Sequence, residues 1–203
     1  MISSFNPISQ PCSPGRRPEA NEDPHICASC AKKSDTCCHI EPENAELCFP
    51  LSEPEAARLK DYLGESLCLG EAPNSSEFLT VMVSLFPGES PVVHSLFPPD
   101  KNHATLGTDA KGFCLHLGPD GCELPRELRP WFCRLFPFWV SRGEITTFAA
   151  PYCLAHRQSI SLRGMLRKID QNEADVREIY NNLRLDWGFV PALSGTAPGE
   201  GQE

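Results

Sequence analysis

Cysteine constrains this chain more than any other feature: 11 of its 203 residues are Cys, and most fall in groups. An odd number cannot all pair internally. The opening residues, Met1–Pro24, show no basic stretch followed by an apolar one, which argues against a secretory leader and for a cytoplasmic chain. Thiols stay reduced in that compartment, so metal binding accounts for the groups better than a disulfide framework does.

The first group is Cys27-Ala28-Ser29-Cys30, followed six residues later by Cys37-Cys38. A CxxC turn aims two sulfurs at one point, which suits a tetrahedral thiolate site. Adjacent cysteines rarely bond to each other, so Cys37 and Cys38 are free to serve one ion or two neighbouring ones. A thioredoxin-like reading of CxxC needs a strand before it, and none is apparent. The second group is Cys114, Cys122, Cys133 and Cys153. Phe113–Leu117 and Cys122–Leu124 flank the turn signal Gly118-Pro119-Asp120-Gly121, which predicts a hairpin carrying Cys114 and Cys122 to one end.

Cys133 lies between Arg129 and Arg134. Their charge favours its thiolate and offsets the negative surplus of several thiolates on one divalent ion. Aromatic residues crowd between Phe113 and Tyr152, enough to form a dry shell round such a site. Cys12, Cys48 and Cys68 stand alone and read as small buried hydrophobes. His94 and His103 read as exposed, whereas His25, His39, His116 and His156 lie near enough to cysteines to replace a thiol. Asp35, Glu53 and Glu55 read as surface carboxylates, and Arg163, Arg167 and Lys168 as a solvated helix face.

Residues 1–24 and 191–203 are rich in Pro and Gly and read as a disordered arm and tail around a domain at 25–190. Within it, Ser52 and Glu55 form a capping-box signature for a helix that Gly64 stops. Phe78–Phe86 fits helix or strand, and an apolar stripe predicts one long helix from about Ser159 to Leu185. The expected fold is α+β: a small irregular cysteine-rich domain with a short β-hairpin and several helices, including a long C-terminal one. A net charge of −9 argues against nucleic acid and anionic membranes as partners, and no apolar run reaches the length of a membrane span. No Walker loop, GxSxG, HExxH or paired-carboxylate set points to an enzyme.

CxxC…CC, then C-x-x-L, G-C-x-L and R-P-x-x-C-R-x-F-P at Cys114–Leu117, Gly121–Leu124 and Arg129–Pro137, resembles the YkgJ-type cysteine-cluster proteins. These are described as carrying a zinc- or iron-chelating CxxCxxCC domain. The likeness runs from about Cys27 to Cys153 and takes in the Pro50–Glu55 helix start. It implies Cys27, Cys30, Cys37, Cys38, Cys114, Cys122, Cys133 and Cys153 as ligands of zinc or iron in a conjoined cluster. Departures are the longer Cys30–Cys37 spacing, His116 where the family often has an aromatic residue, and Leu154-Ala155-His156-Arg157 after Cys153. The alternative is an iron–sulfur cluster on the same cysteines, within a redox or protein-modifying enzyme.

Overall fold

Ser52 opens the first long helix as its sequence predicts. Its hydroxyl accepts from the Glu55 N–H at 3.3 Å while the Glu55 carboxylate accepts from the Ser52 N–H at 2.9 Å. That helix, α2 (Glu53–Leu63), stops at Gly64, which adopts a positive φ of 55°. The computed structural model describes residues 26–32, 36–41, 43–44 and 48–190. The readings for 1–24 and 191–203, and for Cys12, His25 and Asp35, lie outside the described residues.

The fold is mixed α+β. Before α2 comes α1 (Ile26–Ala31); after it come α3 (Ser76–Leu85), α4 (Ser90–Leu96), α5 (Trp131–Leu135), α6 (Leu154–Arg157), α7 (Leu162–Lys168) and α8 (Glu173–Asp186). Strands β1 (Leu69–Pro73) and β2 (Asn102–Leu106) pair antiparallel, as do β3 (Leu117–Gly118) with β4 (Gly121–Cys122) and β5 (Phe138–Ser141) with β6 (Glu144–Thr147). The ambiguous Phe78–Phe86 segment is helical. Ser75 caps it by accepting from the Phe78 N–H at 3.1 Å, and the i, i+4 pair Phe78 and Met82 faces the core.

The single long helix expected between Ser159 and Leu185 is two helices. Asp170 turns the chain at φ 54°, and Asn172 then caps α8 in a capping box with Asp175. The apolar stripe survives the break because both pieces bury it: Met165, Leu166, Val176, Ile179 and Leu183 all enter the main core. Phe78, Phe86, Phe97, Leu135 and Phe138 complete that core. Arg184 holds α8 against the turn before α4, with two hydrogen bonds to Glu89 at 2.7 and 2.6 Å. A smaller core joins Leu51, Leu59 and Leu124 under β2. No helix among the described residues is long and apolar enough to cross a membrane.

His103 corrects an expectation. It is 5% exposed, stacked on Phe78 at 3.9 Å, and its Nδ1–H donates to Asn74 Oδ1 at 2.9 Å. Asn74 Nδ2 donates to the Pro98 carbonyl, which leaves its oxygen to face the ring. Burial lowers the His103 pKa to about 4, with the Cys48 carbonyl pulling weakly the other way. The unfolded chain therefore binds a proton near pH 6.5 that the folded chain refuses until about pH 4. Stability contributed by neutral His103 is complete above pH 6.5 and lost as the pH falls to about 4. Urea unfolding with chelator present should show a loss of about 2–3 kcal/mol across that window, and His103→Gln should flatten the dependence.

Candidate metal centre

The CxxC lies on α1, which sets Cys27 and Cys30 one turn apart on the same side of the helix. A helix of six residues with none buried is held by its neighbours. It packs on β4 and on α6, and Lys32 reaches Asp120 in the β3–β4 turn at 3.5 Å. Gly121 allows the approach: its φ is 116°, and a Cβ there would sit 3.4 Å from the Ala28 Cα. Cys122 follows in β4, opposite Leu117.

Cys37 and Cys38 occupy a turn. Thr36 accepts from the His39 N–H through its carbonyl and from the Cys38 N–H through its hydroxyl, both at 3.1 Å. The next residues add a short antiparallel rung: Ile40 N–H donates to the Gly112 carbonyl at 3.0 Å and Cys114 N–H to the Cys38 carbonyl at 2.8 Å. Cys114 thus joins the Cys37-Cys38 segment and bridges to Thr108, rather than sharing a hairpin strand with Cys122 as expected. The predicted hairpin is only the two-residue pairing of β3 with β4. His39 is turned to other work, with Nε2 against the Lys111 carbonyl at 2.9 Å and its ring stacked on Phe113 at 4.3 Å.

Gly112 makes that rung possible. Its φ is 85°, and a Cβ would fall 1.8 Å from the Ile40 carbonyl oxygen. Gly112→Ala is therefore expected to break the rung, because backbone cannot yield that far. The expected readout is faster hydrogen exchange at Ile40 and Cys114, with the main-core amides unchanged. Unchanged protection at Ile40 would refute this account.

Cys133 sits in α5. The first N–H of that helix, Trp131, donates to Glu55 Oε1 at 2.7 Å, while Glu55 Oε2 serves Ser52. Glu55 is only 3% exposed, which overturns its reading as a surface carboxylate. The Trp131 ring lies under the guanidiniums of Arg58 and Arg134 at 5.0 and 4.7 Å, and its Nε1–H donates to Asp186 at 2.6 Å. Cys27 and Cys133 line one narrow recess together with Arg126, Arg129 and Arg134. Phe136 lines the same recess and stacks on Phe148 and Tyr152, with centroids 5.9 and 6.2 Å apart, while Phe132 meets Phe136 and Phe148 at an angle.

The thiols sense one another electrostatically. Burial pushes Cys133 well above the ordinary thiol range, and the charges of Cys38, Cys122, Cys114 and Cys48 push the same way. Cys114 rises to about 12, first through burial, with the His116 backbone N–H opposing and Cys38, Cys122 and Cys48 adding. Cys37 rises because it donates its S–H to Cys38, then through burial and its neighbours Cys27 and Cys133. That same bond lowers Cys38, helped by Arg129 and opposed by burial. Cys27, Cys37 and Cys133 nevertheless keep solvent-accessible surface, so the cluster is crowded by protein yet open at one edge.

Of the eight expected ligands, the structure gathers Cys27, Cys37, Cys38, Cys114, Cys122 and Cys133 in one region, with Cys30 one turn from Cys27. Cys153 stands at the start of α6, which packs on α1, and it also touches the main core. Cys48, read from sequence as an isolated hydrophobe, stands beside the group. Cys68, read the same way, is disulfide-bonded. His116 is buried, and its Nε2 has no hydrogen-bond partner among the described residues. Among those residues, no three His, Cys, Asp or Glu side chains already enclose a position for an ion. No family model, no curated protein and no solved structure matches this chain.

Proposed function

We propose that the chain binds zinc or iron through thiolates of this cluster. The observation that carries the reading is that cysteines from separate segments, namely α1, Cys37-Cys38, Cys114, β4 and α5, converge beside one another. Chance packing of small hydrophobes does not account for thiols from five separate segments meeting in one region. A divalent cation reverses the cost, since it displaces the protons and neutralises thiolates that burial disfavours. In kind the donors fit zinc and iron: soft sulfur, with a basic rim at Arg129. Four thiolates drawn from Cys27, Cys30, Cys37, Cys38, Cys114, Cys122 and Cys133 would hold such an ion, and the ion would supply a cross-link between distant segments. The motif resemblance to YkgJ-type proteins supports the same reading.

The test is elemental analysis of the full chain purified without added metal, combined with its absorption spectrum. A colourless protein with bound zinc, or bound iron without sulfide, supports the proposal. A brown protein with acid-labile sulfide assigns the same cysteines to an iron–sulfur cluster instead. Protein that stays free of metal after incubation with zinc or ferrous iron under reducing conditions overturns both.

A further inference from the structure

A cavity of about 390 Å³ has no cysteine in its wall. Its size falls within the range of small-molecule sites. The turn between α3 and α4 contributes Gly88 and Glu89, the β5–β6 hairpin contributes Arg142 and Gly143, and α8 contributes Tyr180 and Arg184. The inner wall is rigid. Arg184 is 5% exposed and commits its guanidinium to both Glu89 oxygens, at 2.7 and 2.6 Å, and to the Val190 carbonyl at 2.8 Å. The Glu89 charge is therefore already balanced within the protein. Tyr180 is buried beside this pair, edge-on to Trp139 at 5.0 Å.

The rim carries backbone strain. Ser141 pairs with Glu144, so Arg142 and Gly143 form a two-residue hairpin loop, with φ of 50° and 82°. Positive φ at both positions suits Asn-Gly, Asp-Gly or Gly-Gly, and arginine at the first is unfavourable. Turn formation alone gives no reason for Arg142. Residues kept in such sparsely populated conformations collect at ligand sites. The Arg142 guanidinium has no hydrogen bond or ion pair among the described residues. Arg177 braces the loop instead, donating to the Gly143 carbonyl at 2.6 Å. The N–H groups of Gly88 and Gly143 meet no acceptor among the described residues, and a Cβ at either glycine would meet no atom within 4 Å. Glu144 stands on β6, outside the cavity wall.

We infer that this cavity binds a small organic anion. Its carboxylate or phosphate group is held by the Arg142 guanidinium and the Gly88 and Gly143 N–H groups, and its apolar body lies against Val140 and the Tyr180 ring. The site shares no residue with the cysteine cluster, so it stands apart from the metal-binding reading.

The probes are benzoate and phenyl phosphate, which place the two head groups on one apolar body, with benzyl alcohol as the uncharged control. Each is titrated at constant ionic strength into the full nitrogen-15-labelled chain, and amide resonances are followed. Expected is saturable movement of the Gly88 and Gly143 amides with at least one anion, and binding of benzyl alcohol weaker by at least about tenfold. Tighter binding of benzoate assigns a carboxylate ligand, and tighter binding of phenyl phosphate a phosphate ester. Arg142→Asn, a residue this turn accepts, should weaken the anion by at least about tenfold while unfolding at no lower a urea concentration. A lower urea midpoint would make Arg142 a structural residue and overturn the inference. No saturable movement with either anion, an equal response to benzyl alcohol, or unchanged affinity in Arg142→Asn would also overturn it. The titrations with the two anions and the alcohol use the unsubstituted protein, so they decide the matter even where the variant fails to fold.

Discussion

Cys133→Ser is expected to remove most of the bound metal and to bring the unfolding midpoint of the metal-loaded protein down to that of the chelator-treated one. Cys133 has the widest reach of the cluster, acting on thiols from the α1 side and from the Cys114–Cys122 side. A structural zinc site supplies on the order of 10 kcal/mol of folding free energy, because a formed site exists only in the folded chain. Serine keeps the size of the side chain but is a poor ligand for zinc, so packing is spared and ligation is not. Metal-free protein should accordingly unfold at nearly the same urea concentration with either residue. Cys27→Ser should act in the same direction. A Cys133→Ser protein that retains its full metal content and its metal-dependent stability would remove Cys133 from the ligand set.

Glu55→Leu should cost about 3 kcal/mol whether or not metal is present. The carboxylate accepts from the Ser52 N–H, the Ser52 hydroxyl and the Trp131 N–H, all in a buried setting. Leucine fills the space but leaves these donors unmet, and each buried unmet donor costs about 1–3 kcal/mol. Burial raises the Glu55 pKa, and the bonds from Ser52 and Trp131, with the charge of Arg58, pull it back. Glu55→Gln should therefore cost less, since it preserves an acceptor and removes a buried charge. Equilibrium urea unfolding of the metal-free variants measures both. Equal stability of Glu55→Leu and the parent would mean that the α2–α5 joint contributes nothing.

The sequence carried the local rules well and the long-range ones less well. Ser52, Glu55 and Gly64 announced α2 because a capping box and a stop glycine act within a few residues. The same pattern said nothing about the second Glu55 oxygen, whose partner, Trp131, is 76 residues away. The break between α7 and α8 was written in Asn172 and Asp175, but the apolar stripe ran through it and masked the cap. The cysteine groups pointed to a shared region, since ligand spacing is local. Cys48 was missed because its place depends on Phe49 meeting Phe132, and no spacing rule records a tertiary stack. His103 was likewise missed: its connection looked polar in sequence, yet β2 folds it under Phe78.

The docking of the first cysteines has a consequence for how the molecule comes apart. α1 buries no residue of its own, and Cys37–Ile40 is joined to Gly112–Cys114 by a short rung of backbone bonds. Cys133 in α5, by contrast, stands on an element that reaches into the main core through Leu135. The thiols therefore straddle a seam between two cooperative units of unequal strength. Opening along that seam would separate Cys27, Cys30, Cys37 and Cys38 from Cys114, Cys122 and Cys133 without melting the hydrophobic interior. An ion held across it would act as a latch on a long loop, where closure entropy makes each cross-link count for more. Loss of such an ion and local unfolding would then be a single event.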